Sequence, residues 1–140
     1  MSGDVSVSVA DWIDASFEAE VASGLAAFNA AQLGASGHRE LAVSLYRDAD
    51  FLGGLAGFTA WDWLFLKWLW IREDARGADL GSLALDAAEI EAKKRGCVAA
   101  WLDTLNPAAR NLYARHGYAV FGEIADFRAG QARFFMQKRF

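Results

Sequence analysis

Two glycines stand at the start of a helix-forming segment, in the stretch RGADLGS from Arg76 to Ser82. Gly77 and Gly81 are four residues apart, although glycine inside a helix costs about 1 kcal/mol relative to alanine. A turn that leads from a strand into a helix leaves backbone N–H groups unpaired, and the helix dipole adds to their attraction for an anion. The segment therefore predicts either a phosphate-binding turn, with Arg76 as a charged donor, or an ordinary loop with close packing at Gly81.

Other kinds of chemical site are disfavoured by the residue types and their spacing. Gly81 is followed by Ser82 without the lysine of a nucleoside-triphosphate loop, and the three-glycine dinucleotide fingerprint is absent from the segment. Two histidines and the single Cys97 do not provide a metal-binding set, so we expect no metal cofactor. No serine, histidine and aspartate have the spacing of a familiar catalytic triad, and we expect His116 to belong to the turn before Gly117.

The composition predicts one compact domain that covers residues 1–140, because 54% of the residues are hydrophobic. The formal net charge of −4 disfavours nucleic acid and anionic membrane as partners. The first residues do not resemble a signal peptide, and the apolar stretch WDWLFLKWLWI is too short for the ~20 residues of a membrane span. A single cysteine fits a reducing compartment, so we expect a cytoplasmic protein. The sequence leaves open whether the protein forms a homodimer.

Hydrophobic alternation and periodicity predict an α+β fold. Strands are predicted at 5–12, 38–48, 51–61, 63–71, 97–105, 118–127 and 131–140, and helices at 17–33, 78–95 and from Pro107 to Gly117. The strand–helix–strand unit from Leu64 to Leu102 requires a parallel pair with a right-handed crossover. The remaining strands follow one another as antiparallel neighbours. The result is a mixed, mostly antiparallel sheet with helices on both faces.

Two segments of the chain resemble the GNAT family of N-acetyltransferases. The segment LWIREDARGADLGSLAL is similar to the family's strand, its Arg/Gln-Gly-x-Gly-x-Gly/Ala loop and the following helix. The segment NPAARNLYARHGY, Asn106 to Tyr118, matches the family's Asn-x-x-Ala-x-x-Leu-Tyr-x-Lys/Arg-x-Gly-Phe/Tyr pattern. The other strands resemble a bacterial, small-molecule-type branch, so the resemblance covers nearly the whole chain. It implies the α/β sandwich of that family, whose central parallel strands are splayed for acyl-CoA.

The resemblance also implies which residues bind acetyl-CoA. Backbone groups of Leu69, Trp70 and Ile71 would hydrogen-bond the pantetheine arm, and the turn from Arg76 to Ser82 would wrap the pyrophosphate. The whole implied set is Leu69, Trp70, Ile71, Arg76, Gly77, Ala78, Asp79, Leu80, Gly81, Ser82, Asn106, Arg110 and Tyr113.

The second segment supplies the implied catalytic chemistry. Asn106 would contact the pantetheine, and Arg110 and Arg115 are candidates for the outer phosphate or the adenine end. Tyr113 would face the sulfur as the general acid, because a phenol can protonate the leaving thiolate. The sequence identifies no general base.

Two residues depart from the family's pattern. Asp79 occupies the position of the middle loop glycine, where a carboxylate repels a pyrophosphate unless its side chain turns outward as a helix-entrance residue. Lys67 is the one charge between Trp63 and Ile71. Its ammonium group either pairs with an acid on a neighbouring strand or faces the acceptor site, where it would select a substrate with a carboxylate. Trp63 is a further candidate for an apolar wall of the acceptor site.

The resemblance implies an enzyme that transfers acetyl from acetyl-CoA to a primary amine of a small molecule by direct attack. Two alternatives stay open. An acetyltransferase acting on a protein or peptide is compatible with the acidic chain, which would not repel a basic peptide. A non-catalytic module that only binds acyl-CoA is favoured by Asp79 alone.

Overall fold

The computed structural model describes residues 3–140, which form two compact units that divide between Ser36 and Gly37. The first unit contains the helix α1, Ala15–Leu33. Asp14 caps this helix by accepting a hydrogen bond of 2.7 Å from the backbone N–H of Phe17. Within residues 3–140 no helix has both the length and the apolar character needed to cross a membrane.

The predicted first strand, from Val5 to Trp12, is wrong. Residues 3–14 contain no strand, and Val5, Val7 and Val9 are almost fully exposed. Alternating apolar side chains favour a strand only where a neighbouring strand accepts its hydrogen bonds, and these residues form no such ladder within the described part of the chain.

The second unit is built on a six-stranded sheet. Its strands are β1 Arg39–Arg47, β2 Asp50–Ala60, β3 Trp63–Ile71, β4 Ala99–Thr104, β5 Ala119–Arg128 and β6 Gln131–Arg139, in the order β1-β2-β3-β4-β6-β5. Only β3 and β4 are parallel, and all other neighbours are antiparallel. The prediction of a mixed, mostly antiparallel sheet with a central parallel pair is confirmed.

Each strand of the parallel pair is followed along the chain by a helix. Helix α2, Leu80–Lys94, is the crossover between β3 and β4, and helix α3, Pro107–Arg115, connects β4 to β5. Asn106 caps α3 through its side-chain oxygen, which accepts a hydrogen bond of 2.9 Å from the N–H of Ala108. A short 3₁₀ turn, Glu73–Ala75, precedes α2.

The core lies where α2 and α3 pack against the sheet. Ala84, Leu85 and Ala88 of α2 are completely buried against strand residues such as Leu64 and Leu102. Small alanines let the helix lie close to the sheet, and each buried leucine contributes about 1.5–3 kcal/mol. The α2 and α3 N-termini are thereby fixed at the end of β3.

Candidate functional site

The parallel strands β3 and β4 separate beyond their first residues. Their pairing runs from Trp63 opposite Ala99 to Leu66 opposite Leu102. From residue 67 to residue 71, the β4 side of β3 has no paired strand among the described residues. Apart from the Ile71 carbonyl oxygen, which accepts a hydrogen bond from Arg76, the backbone N–H and C=O groups on this side are therefore available to a ligand that lies along β3.

A β-bulge in β3 marks the start of the separation. Gly57 of β2 lies opposite Leu66, and the next paired residue of β3 is Trp68, so Lys67 is the extra residue. A Cβ atom on Gly57 would collide with a backbone carbonyl oxygen of β3, so this close approach requires glycine. Lys67 and Trp68 are both exposed, whereas Leu69 packs against the core. The bulge thus interrupts the alternation and bends the strand at the splay.

A cleft of about 560 Å³ lies beyond the end of β3; we call it the main cleft. Three segments form it, namely the end of β3, the turn that leads into α2, and one face of α3. It is lined by Leu69, Trp70, Ile71, Arg76, Gly77, Asp79, Leu80, Gly81, Ser82, Asn106, Ala108, Ala109, Leu112 and Arg115. Of the residues that the family resemblance implied for the cofactor, all line this cleft except Ala78, Arg110 and Tyr113.

The turn into α2 exposes a row of unpaired donors. Within the described residues, none of the backbone N–H groups from Gly77 to Ser82 donates a hydrogen bond to another protein group. Gly77 has φ +86° and Asp79 has φ +62°, both in the left-handed region. Left-handed residues in such a turn direct successive N–H groups into a concave anion site. The Arg76 guanidinium is anchored beside it by a hydrogen bond of 2.9 Å from Nε to the carbonyl oxygen of Ile71.

Asp79 does not act as a helix cap, although it precedes the first residue of α2. Its side chain accepts no hydrogen bond from the first turn, and the residue lines the main cleft. The left-handed backbone explains why the resembling family has glycine here, since glycine adopts positive φ without steric cost. The sequence predicted that this helix begins at Ala78. Because Asp79 has a left-handed backbone, α2 begins at Leu80 instead.

Gly81 allows α2 and α3 to approach each other at the cleft. A Cβ atom on this glycine would lie 2.9 Å from Cδ2 of Leu112 and 3.9 Å from Cδ2 of Leu69. The group that approaches Gly81 is therefore a leucine of α3. Since Leu112 also lines the cleft, packing at Gly81 fixes the cleft wall.

Only one of the two arginines proposed in α3 reaches the cleft. Ala108, Leu112 and Arg115 line it, and they share a helix face because they are separated by four and three residues. Arg110 does not line the cleft, and its guanidinium lies 4.3 Å from the ring centre of Phe134 on β6. Its role at the outer phosphate or the adenine end stays a prediction, and Arg115 is the arginine of α3 at the cleft.

A second cavity, of about 440 Å³, adjoins the main cleft; we call it the side cavity. The two share Leu69, Trp70, Asn106 and Ala109 as lining residues. The remaining lining residues of the side cavity are Leu66, Lys67, Trp68, Asp103, Thr104, Leu105 and Tyr113. The Asp103 carboxylate is held by Arg133, with an N–O distance of 2.6 Å.

Tyr113 lies in the wall of the side cavity. The residue is 6% exposed, and burial raises the pKa of its phenol to about 12. Its hydroxyl oxygen has no hydrogen-bond partner among residues 3–140 and is not sealed in the interior. The phenol is therefore protonated at physiological pH and can donate a hydrogen bond into the cavity.

The two candidate acceptor residues have different positions. Lys67 is exposed at the side cavity, with Nζ 4.3 Å from the ring centre of Trp68, and it forms no ion pair within the described residues. Trp63 begins β3, at the opposite end from Trp70, and packs under the guanidinium of Arg139. Trp63 lines neither cavity, so the acceptor role expected for it stays a prediction that the cavity lining does not support, and Trp68 and Trp70 are the tryptophans at the cavities.

The fold also assembles a serine, a histidine and an aspartate that the sequence analysis did not connect. The Oγ atom of Ser82 lies 2.9 Å from Nε2 of His116, and Nδ1 of His116 lies 3.3 Å from a carboxylate oxygen of Asp86. Ser82 and Asp86 are one turn apart on α2, which a helical pattern could have indicated. His116 ends α3, and only the packing of the two helices brings it there.

Two other polar groups are explained by packing. The buried Glu89 accepts hydrogen bonds from the hydroxyl of Tyr118 and from Nζ of Lys138, at 2.9 and 2.7 Å. The thiol of Cys97 is buried, which raises its pKa. Among the described residues, no three His, Cys, Asp or Glu side chains are grouped as metal ligands.

Comparisons with known proteins agree with this geometry. Residues 7–118 match the model of the acetyltransferase (GNAT) family. An acetyltransferase of Agrobacterium fabrum is 37% identical over 133 residues, which cover 94% of this chain and 97% of the relative. The crystal structure of a protein from Agrobacterium tumefaciens assigned as an acetyltransferase is 36% identical, with a TM-score of 0.90, and the match covers 97% of this chain and 100% of that one. The blasticidin-S acetyltransferase of Streptomyces morookaense is 37% identical over 82 residues, 58% of this chain and 60% of the relative.

The chain belongs to the GNAT family of acetyltransferases. It is an N-acetyltransferase by class, as the family resemblance of its sequence implied.

Proposed function

We propose that this protein transfers the acetyl group of acetyl-CoA to a primary amine of a small molecule. The observation that carries the proposal is the row of unpaired N–H groups from Gly77 to Ser82, at the end of a strand whose neighbour has separated. One ligand that fits both features has a diphosphate at one end and an extended amide chain at the other, as CoA has.

The diphosphate lies at the N-terminus of α2 in this proposal. Its oxygens accept hydrogen bonds from the backbone N–H groups of residues 77–82, and the positive end of the helix dipole favours its charge. Arg76 and Arg115 add charge-assisted donors from two sides of the cleft. These contacts are made mainly by the backbone, so they depend on the turn conformation more than on side-chain identity.

The pantetheine arm lies along the open edge of β3. Its two amide groups pair with backbone groups of Leu69, Trp70 and Ile71, as an added strand would. Asn106, which lines both cavities, contacts the arm where it passes from the main cleft to the side cavity. The thioester then lies near Tyr113.

The acceptor amine attacks the thioester carbonyl directly in the side cavity. Positioning both reactants supplies much of the rate gain, and Tyr113 acts on the leaving thiolate as the general acid. With a phenol pKa of about 12, complete transfer of its proton to a thiolate of ordinary pKa about 8.5 is uphill. The phenol therefore stabilises the developing thiolate chiefly through a strong hydrogen bond. The attacking group is the neutral amine, and the proton that its nitrogen loses as the C–N bond forms and the C–S bond breaks finally resides on sulfur or in solvent.

The side cavity favours an acceptor with a carboxylate and an apolar part. Lys67 brings an ammonium group that no carboxylate of the described residues neutralises, and Trp68 and Trp70 add exposed aromatic surface. A small-molecule acceptor is also supported by the relative whose name specifies blasticidin S.

The domain organisation, the cellular compartment and the oligomeric state belong to the same proposal. The family match spans both compact units, which supports a single functional domain over residues 1–140. The free Cys97 supports a cytoplasmic enzyme. A homodimer also belongs to the proposal, and light scattering would detect it as a doubled mass.

A screen of amines, followed by release of the free CoA thiol, tests the function. We expect turnover that depends on a small amine and increases for amines that carry a carboxylate and an aromatic group. Turnover with basic peptides alone would favour the protein-directed alternative. Binding of acetyl-CoA without any amine-dependent thiol release would favour the non-catalytic module.

A further inference from the structure

A line of polar contacts runs from the surface of α2 to the main cleft. Asp86, whose side chain is 61% exposed, contacts Nδ1 of His116 at 3.3 Å. The imidazole is 17% exposed, and its Nε2 lies 2.9 Å from Oγ of Ser82, which lines the cleft. Asp86 and Ser82 belong to the same helix, so the imidazole of α3 is held between two fixed points one turn apart.

The charge of His116 decides where the Ser82 hydroxyl can donate. A carboxylate beside Nδ1 favours a proton on that nitrogen. In the neutral imidazole, Nε2 is then an acceptor, and the Ser82 O–H donates to it while its lone pairs face other groups. In the imidazolium, Nε2–H donates to Oγ, and the Ser82 proton becomes free to donate into the cleft. The Ser82 hydroxyl can therefore donate a hydrogen bond to an anion in the cleft only when His116 is an imidazolium.

We propose that His116 and Asp86 are positioning residues that make the Ser82 hydroxyl a donor to the CoA diphosphate, so that the ligand is bound together with a proton on His116. The inference rests on the proposed function, because it takes the diphosphate to lie at residues 77–82. The proton comes from solvent, no covalent bond breaks, and the ligand and the proton each strengthen the binding of the other.

The same three residues do not form a hydrolase site in this setting. A serine nucleophile needs a substrate carbonyl within reach, but Ser82 lies among the N–H groups of the turn that attract an anion. Tyr113 and Lys67 line the side cavity instead, and the proposed thioester lies there. Ser82 is therefore placed to bind phosphate.

Histidine is the side chain that changes its charge between pH 5 and 8. No second histidine lies near His116. The sequence has one other histidine, His38, which stacks on Phe58 of β2 with 4.7 Å between the ring centres. The other charged side chains around the imidazole and the cleft are arginine, lysine, aspartate and glutamate, namely Arg76, Asp79, Asp86, Glu89, Arg115 and Lys138. A proton that is taken up when the ligand binds is therefore assigned to His116.

The experiment is calorimetric titration with dephospho-CoA in two buffers of different ionisation enthalpy. Dephospho-CoA keeps the diphosphate and lacks the phosphate monoester, whose second ionisation near pH 6 would itself exchange protons. We expect the parent protein to take up a fraction of one proton per ligand at pH 7. Its Kd should rise by about threefold to tenfold between pH 6 and pH 8, as expected for loss of one charge-assisted hydrogen bond.

Three variants separate positioning from structure. His116→Gln should abolish proton uptake and make the Kd independent of pH within about twofold, whereas the matched control His38→Gln should keep both effects. Asp86→Asn, at an exposed position, should retain the fold and weaken both effects, because the imidazole is no longer held at Nδ1 by a carboxylate. If His116→Gln is unfolded, the Asp86→Asn variant still tests the proposal.

The outcomes are distinct. Binding of dephospho-CoA to the parent protein without proton uptake would overturn the inference and leave the proposed function intact. Uptake that persists in His116→Gln, or an Asp86→Asn profile identical to the parent, would also overturn it. Failure of dephospho-CoA to bind the parent protein at all would overturn the proposed function first.

Discussion

Asp79 offers a sharp test of the anion site, because one residue combines an unfavourable backbone and an unfavourable charge. Its φ of +62° lies in the left-handed region, and its carboxylate makes no capping hydrogen bond. Asp79→Gly should relieve about 1–2 kcal/mol of left-handed strain and lose about 0.5–1 kcal/mol through the freer unfolded chain. The net gain of about 0–1.5 kcal/mol, centred at about 0.75 kcal/mol, corresponds to a rise in Tm of about 3 °C at the centre of that range.

The charge should act on binding rather than on stability. Two unit charges 4 Å apart repel each other by about 1 kcal/mol in water, which is about a fivefold change in Kd for each diphosphate charge that Asp79 faces at that distance. Asp79→Asn removes this charge while keeping a residue type that tolerates the left-handed backbone. We therefore expect both variants to bind CoA about five- to tenfold more tightly at low salt, with a smaller gain at 0.5 M salt because of screening.

Asp48 is the matched control for the strain. It also has a left-handed backbone, with φ +54°, and it lies in the turn between β1 and β2 outside the main cleft. Asp48→Gly should raise the Tm to a similar extent and leave the Kd for CoA unchanged. Calorimetry and thermal unfolding on the same samples give both quantities. If Asp79→Asn binds CoA no more tightly than the parent at low salt, the carboxylate does not face the diphosphate and the reasoning is refuted.

Three further predictions concern turnover, packing and acceptor choice. Tyr113→Phe should lower turnover by about 10²–10⁴-fold with an unchanged Kd for acetyl-CoA, and the loss should be constant from pH 6 to 9 because the phenol pKa is about 12; turnover within twofold of the parent would remove Tyr113 from the mechanism. Gly81→Val should push Leu112 into the cleft, since even a Cβ would lie 2.9 Å from its Cδ2, costing about 1–3 kcal/mol of stability and raising the Kd for CoA; equal Kd values would show that the cleft wall had not moved. Lys67→Glu should shift the acceptor ranking from acidic toward cationic amines, with Lys67→Met as the uncharged control and acetyl-CoA affinity unchanged; an unaltered ranking in steady-state assays would exclude Lys67 from acceptor recognition.

The elements of the second unit could be predicted from local pattern, because their signals are strong. The all-apolar run of β3 and the glycine-flanked helix α2 specify a buried strand and its crossover, and Asn106 with Pro107 specifies the start of α3. The segment from Val5 failed because alternation does not reveal whether a partner strand exists. Local pattern gives an element's type, and tertiary pairing decides whether it forms.

The site could be predicted only where the chain itself brings residues together. Apart from Ala78, the turn residues and Asn106 line the main cleft, since they adjoin the strand ends that meet there. Arg115 lines the cleft and Arg110 does not, and the sequence could not separate them because the exposed face of a short helix depends on which side packs on the sheet. The bulge at Lys67 and the contact between His116 and Ser82 depend on register and helix packing, which leave no local signal.

The binding site is tested most directly by a crystal structure of the protein with bound acetyl-CoA. We expect the diphosphate to accept hydrogen bonds from the backbone N–H groups of residues 77–82, with the pantetheine along β3 from Leu69 to Ile71 and the thioester next to Tyr113. A complex with the phosphates away from this turn, or with the arm outside the gap between β3 and β4, would contradict the central claim.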